Sequence, residues 1–160
     1  MKSLVVYYSL SGITRTVATV LAKDLTADIE ELRCSRYAPG VWGYWRAVYD
    51  SLTANLPPIE PLAHALSQYE LVVIATPVWA SHPATPARTL MKQERLRLPR
   101  LAFVLTHGGA WGERSLREME EIVGRAPIAT LVVREQDVKE QRFASALSSF
   151  EARIRKTEAA

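Results

Sequence analysis

The sequence predicts an α/β protein, a three-layer, doubly wound parallel sheet of five strands with helices on both faces. Three observations carry that expectation. Apolar strand-like runs alternate with helical patterns along the whole chain, the order that right-handed crossovers impose on a parallel sheet. Leu4–Tyr8 and Leu71–Thr76 are runs without a charge, as in strands covered on both sides. Finally, residues 9–14, 77–83 and 106–113 are loops of unusual chemistry that follow the first, third and fourth strands. Ligands of such sheets bind beyond the strand C-termini, so all three loops are expected on one edge.

The first strand, Leu4–Tyr8, runs into Ser9-Leu10-Ser11-Gly12-Ile13-Thr14, and helical spacing follows from Thr16 to an end near Asp24. Gly12 lets backbone approach a ligand where a side chain would block it. The hydroxyls of Ser9, Ser11 and Thr14 and the unpaired N–H groups of a helix start face one point. An anion there is stabilised without a lysine. A phosphate is one reading of this loop, and a hydroxyl-rich helix cap is the other. The loop carries neither G-x-G-x-x-G nor the Gly-Lys-Ser/Thr ending of a P-loop.

Asp28–Arg33 is expected as a short, charged edge strand. From Val41 to Leu56, apolar residues at Trp42, Trp45, Val48, Tyr49 and Leu52 have helical spacing that stops before Pro57-Pro58. Trp42, Tyr44, Trp45 and Tyr49 are expected to anchor that helix on the sheet, with any surplus exposed ring serving a partner or substrate. A bridging segment at 61–69 leads to the strand Leu71–Thr76 and the loop 77–83. A helix follows over 84–91, where Pro83 and Pro86 suit a first turn. The fourth strand is Leu101–Thr106, its exit loop His107–Gly112, and the next helix Glu113–Arg125, with Leu116, Met119 and Val123 inward. Ile128–Val133 is the fifth strand. One last helix is expected over 138–154, with Phe143, Leu147, Phe150 and Ile154 as its buried stripe.

The 160 residues suit one domain, 1–160, with ordinary globular values of 48% hydrophobic and 23% charged residues. A formal net charge of +3 and a pI near 9.2 are mildly basic. The basic residues are scattered, so no nucleic-acid stripe forms, and Arg153–Lys156 reads as a solvated helix face. The single Cys34 cannot close an internal disulfide, which suits a reducing cytoplasm. His64, His82 and His107 are far apart in sequence, and no metal-ligand spacing occurs. Met1-Lys2-Ser3 leads into too few apolar residues for a signal peptide or a membrane span, so a soluble cytoplasmic protein is expected.

On these loops the chain resembles the flavodoxin family, whose fold has strand order 2-1-3-4-5 and binds FMN. The family's phosphate loop, Thr/Ser-x-Thr/Ser-Gly-x-Thr, is matched by Ser9, Ser11, Gly12 and Thr14. The resemblance implies that these residues, with the intervening backbone of Leu10 and Ile13, hold the FMN phosphate. Ile13 stands where many members have asparagine but still offers its N–H, and Arg15 adds a charge that the usual loop lacks or simply faces solvent. Thr76-Pro77-Val78-Trp79 is similar to the second flavin loop, which implies that Pro77, Val78, Trp79 and Ala80 line the isoalloxazine. Trp79 is the stacking candidate there, or else a core residue under the loop. Thr106–Glu113 resembles the third loop, implying flavin contacts from Thr106, His107, Gly108, Gly109 and Trp111. His82 and His107 are candidates for tuning flavin N1 or N5, or else surface histidines without that role. The few residues after Val133 leave no room for a long-chain insertion, so the chain resembles the short-chain members.

The resemblance implies an FMN-dependent oxidoreductase or electron-transfer protein, with no protein nucleophile or acid–base pair required. A pI near 9.2 argues against the strongly acidic electron carriers. It favours a reductase that uses NAD(P)H on a quinone-like molecule, or a carrier for an acidic redox protein. Trp42, Tyr44 and Trp45 would roof such a substrate if their helix leans over the flavin. The alternative is a flavodoxin-like binding or regulatory module without flavin. Tyr7-Tyr8-Ser9 and Thr76, which stand where acidic residues would be needed, argue against a phospho-receiver, and without a G-x-S-x-G a hydrolase lacks support.

Overall fold

A computed structural model describes residues 1–38, 40–109 and 112–158. Among the described residues six strands form: β1 Ser3–Tyr7, β2 Asp28–Glu31, β3 Leu71–Trp79, β4 His82–Pro83, β5 Arg100–His107 and β6 Ala129–Arg134. The helices are α1 Ile13–Asp24, α2 Val41–Leu52, α3 Thr85–Glu94, α4 Gly112–Val123, α5 Glu135–Lys139 and α6 Ala144–Glu158, with a 3₁₀ turn at Leu66–Gln68. The parallel sheet has the order β2-β1-β3-β5-β6, and β4 pairs antiparallel with the end of β3. Leaving aside that hairpin arm, this is the expected 2-1-3-4-5 order.

Alternation along the parallel strands builds two cores, because successive side chains leave a strand on opposite faces. Leu4, Val6, Val72, Ile74, Leu101, Phe103 and Leu105 pack with Leu90 and Met91 of α3 and Met119 of α4. Val5, Val73, Ala102, Val104, Leu131 and Val133 pack with Val17 and Leu21 of α1 and with Leu147, Phe150 and Ile154 of α6. The register sets Leu4 opposite Val72, Val72 opposite Leu101 and Val104 opposite Leu131. Consequently β1, β3 and β5 end on the same edge.

Several boundaries differ from the sequence expectation, each for a local reason. Helix α1 begins at Ile13, three residues before the expected Thr16, because Gly12 at φ 91° turns the chain straight into it. Strand β3 continues through Pro77–Trp79 as half of a hairpin. Its turn is made by Ala80 and Ser81, both left-handed at φ 47° and 73°, the backbone that a two-residue hairpin turn requires. The single last helix is two: Gln141 at φ 56° ends α5, and Arg142 N–H reaches back to Asp137 O as in a left-handed helix stop. The stripe Phe143, Leu147, Phe150 and Ile154 is nonetheless buried.

The largest correction concerns α2. The helix exists, but its aromatic side faces solvent: Trp42 is 88% exposed, and Tyr44, Trp45, Tyr49, Val41 and Leu52 are exposed as well. Its inward face is Gly43, Ala47, Asp50 and Ser51. The seat is too narrow for rings, since a Cβ on Gly43 would stand 1.8 Å from the Ala38 carbonyl oxygen. Polar fastenings replace the expected apolar anchor.

Candidate functional site

Residues 9–12, the hairpin 77–83 at the end of β3 and residues 107–109 lie at the C-terminal ends of β1, β3 and β5, on one edge of the sheet. In the first, the helix-cap reading fails. The N-cap of α1 is Gly12, which has no side chain, and no side-chain hydrogen bond caps the helix. Ser9 Oγ accepts from Gly12 N–H at 3.0 Å, shaping the loop rather than capping the helix. The first helical bond runs from Thr16 N–H to Gly12 O. The N–H groups of Ile13, Thr14 and Arg15 therefore lie ahead of the helical ladder, at the positive end of the helix. Ser11 is exposed, and nothing stands within 4 Å of a Cβ position at Gly12. Arg15 is turned away to Glu31 at 2.6 Å.

Thr14 and Thr106 are both buried, and their hydroxyls meet at 2.7 Å. This bond ties the first loop to the third across 92 positions of sequence. His107 lies at the end of β5, with Nδ1 buried and without a hydrogen-bond partner among the described residues. A buried orphan nitrogen is costly, on the order of 1–3 kcal/mol, and marks a place where a ligand atom would be accommodated. Gly108 and Gly109 are exposed, and a Cβ on Gly109 would meet nothing within 4 Å. Trp111 lies outside the described residues.

The middle loop is fastened from two helices. Ser51 of α2 donates to Trp79 O at 2.7 Å, and Ser115 of α4 donates to Ser81 O at 3.1 Å. Ala84 N–H closes the hairpin onto Pro77 O at 2.9 Å. Trp79 is half-buried and meets Tyr8 and Tyr37 edge-on, with centroids 5.4 and 5.3 Å away. It thus packs against the core through these two rings while part of it stays exposed. Burial pushes the Tyr8 and Tyr37 phenols above their ordinary range, so both stay neutral.

Beneath this trio, Asp50 is fully buried and saturated. It accepts from Arg36 at 2.5 and 2.9 Å, from Tyr37 at 2.8 Å and from Asn55 at 2.9 Å. The Arg36 hydrogen bonds hold its carboxyl at about 2. On the other side, His82 Nδ1 lies 2.5 Å from Glu118, whose second oxygen is 2.9 Å from Arg88 Nε. This chain of polar contacts braces β4 and α3 against α4. A groove of about 600 Å³ along α1 and β2 is lined by Arg15, Lys23, Asp28 and Glu31 and lies apart from these loops.

Sequence reading named the loops but missed Ser51, Ser115, Asp50, Tyr8 and Tyr37, which fix their shape. Partners 28 and 34 positions apart leave no local signature. Among the described residues no three metal-ligating side chains gather, and no helix is long and apolar enough to cross a membrane.

Compared with protein-family models and with curated proteins, the sequence matches none. Solved structures do resemble it. A flavoprotein from Lactobacillus acidophilus in complex with FMN aligns with TM-score 0.71 and 23% identity, over 87% of this chain and 97% of that one. The Trp repressor binding protein from Bacillus subtilis aligns with TM-score 0.64 and 14% identity, over 93% and 99%. A flavodoxin from Streptococcus pneumonia aligns with TM-score 0.53 and 13% identity, over 95% and 99%. Sheet order, two-sided helical cover and these alignments agree: the chain has the flavodoxin-like fold.

Proposed function

We propose that the three-loop edge binds FMN and that the chain is an FMN-dependent oxidoreductase or electron-transfer protein. The observation that carries this reading is the start of α1, left without a side-chain cap at Gly12 on the ligand-binding edge of the sheet. The orphan His107 Nδ1 on the same edge supports it, as does the FMN bound by the Lactobacillus acidophilus flavoprotein of like fold. In this reading the N–H groups of Leu10, Ser11, Ile13 and Thr14 and the Ser9, Ser11 and Thr14 hydroxyls hold the phosphate, with Gly12 N–H already given to Ser9 Oγ to shape the loop. Backbone from Pro77 to Ala80, held by Ser51 at Trp79 O and by Ser115 at the following Ser81 O, lines one side of the ring system. Thr106, His107, Gly108 and Gly109 line the other. When bound, FMN supplies hydride or single-electron transfer. The protein contributes orientation and a fixed set of dipoles around the ring.

The net charge of +3 suits an NAD(P)H-dependent reductase of a quinone-like molecule, or a carrier docking on an acidic redox protein, better than a carrier for basic partners. Fluorescence-quenching titration with FMN and with riboflavin tests the reading. FMN is expected to bind about a hundredfold more tightly, a difference of about 2.7 kcal/mol from the phosphate contacts. Ser11→Ala should weaken FMN and leave riboflavin unchanged. Equal affinities for both flavins would overturn the phosphate site at the first loop, and no saturable quenching by either would overturn the proposal and favour a module that has no flavin. Turnover of NADH and NADPH with quinones, against one-electron acceptors, then separates reductase from carrier.

A further inference from the structure

The aromatic side of α2 is an apolar surface that the fold leaves uncovered while fixing the helix beneath it. Trp42, Trp45, Tyr49 and Tyr44 are 88%, 60%, 64% and 54% exposed, and Val41 and Leu52 extend the same stripe at 70% and 65%. With aromatic side chains worth about 150–250 Å² each, this single helix presents on the order of 700 Å². A lone monomer's largest apolar patch is usually about 300–600 Å², whereas each partner in a standard interface buries about 800 Å². The area thus reaches the range that one side of a stable dimer needs.

The chemistry of the patch suits a copy of itself. The only charged residue on the exposed side of α2 is Arg46, which follows Trp42 by one helical turn and precedes Tyr49 by three residues. A two-fold interface is isologous, so every group on one copy must find a complement within the same patch. In such an interface Arg46 of one copy would stand against the rings of the other, so that each would supply both halves of a cation–π pair. Trp, Tyr and Arg are also the residues that dominate interface energetics. A membrane-surface helix would carry several basic residues along its polar face, but the opposite face of α2 is Gly43, Ala47, Asp50 and Ser51 and is buried in the protein. The helix is already seated by Asp50 and Ser51, so docking requires little ordering.

We propose that the chain forms a two-fold dimer through the exposed aromatic face of α2. Sedimentation velocity on the full chain, with and without added FMN, tests this and reads mass whatever the flavin does. A dimer is expected by about 100 μM. Trp45→Glu should raise the dimer dissociation constant about thirtyfold or more, as loss of a central interface tryptophan does. Tyr49→Lys on the same face should also dissociate it, whereas Leu96→Glu, at an 89% exposed leucine off this helix, should leave the dimer intact. Circular dichroism confirms that each variant is folded. A monomer at that concentration would overturn the proposal. So would a dimer that survives both α2 substitutions, or binding of a monomer to phosphatidylglycerol vesicles by this face.

Discussion

Asp50 is the residue on which the surroundings of the middle loop depend. Its carboxylate accepts from Arg36, Tyr37 and Asn55 at once, and Tyr37 in turn braces Trp79. Removing the charge leaves three donors competing for a weaker acceptor. Asp50→Asn should therefore cost about 2 kcal/mol in urea unfolding, the scale of lost charge-assisted hydrogen bonds. The sign of the pH dependence follows from the same bonds. The folded carboxyl is held at about 2, below its ordinary 3.8, so the unfolded chain takes up the proton first as pH falls. Asp50 contributes its full stability above the ordinary value and loses it progressively toward pH 2. A Tm profile that declines over this acid range in the parent, and less steeply in Asp50→Asn, checks this.

At the scale of elements, α2 and the break before α6 show how backbone geometry overrides pattern. Gly→Ala inside a helix ordinarily gains about 0.5–1 kcal/mol. At Gly43 the added Cβ would lie 1.8 Å from the backbone of Ala38, and backbone cannot step aside as a flexible side chain can. Gly43→Ala should thus destabilise by about 2–3 kcal/mol and lift α2 from its seat, read as a lower urea midpoint. Gln141 shows the opposite sign: it holds φ 56° at the end of α5. Gln141→Gly should raise stability by about 1 kcal/mol, since only glycine adopts that backbone freely. Thermal unfolding of the purified variant is the measurement.

For the whole molecule, ligand linkage gives a prediction that does not depend on any single contact. A ligand that binds only the folded state at about 100 times its Kd adds about 2.7 kcal/mol, and each kcal/mol moves the Tm of a chain of this size by about 2–4 °C. FMN should therefore raise the Tm by about 5–10 °C, with riboflavin at equal concentration giving a smaller rise; scanning calorimetry checks both. The alternation of strands and helices and the three loops were legible because they rest on short-range facts, whereas the sheet order came only with the family resemblance. Continuous apolar runs such as Leu71–Ile74 must be buried on both sides, and a Ser/Thr/Gly loop between strand and helix is a local pattern. The inward face of α2 was not legible. Periodicity shows that Trp42, Trp45, Tyr49 and Leu52 share a face but not which way that face points, and the narrow gap beside Ala38 turned it outward. By itself the sequence determined the alternation of strands and helices and the chemistry of the loops, because hydrophobic period and backbone permissiveness are properties of neighbouring residues. Only the tertiary structure decided what holds those loops and what the aromatic helix faces, because Ser51, Asp50 and Ala38 act through distances that exist only once the chain has folded.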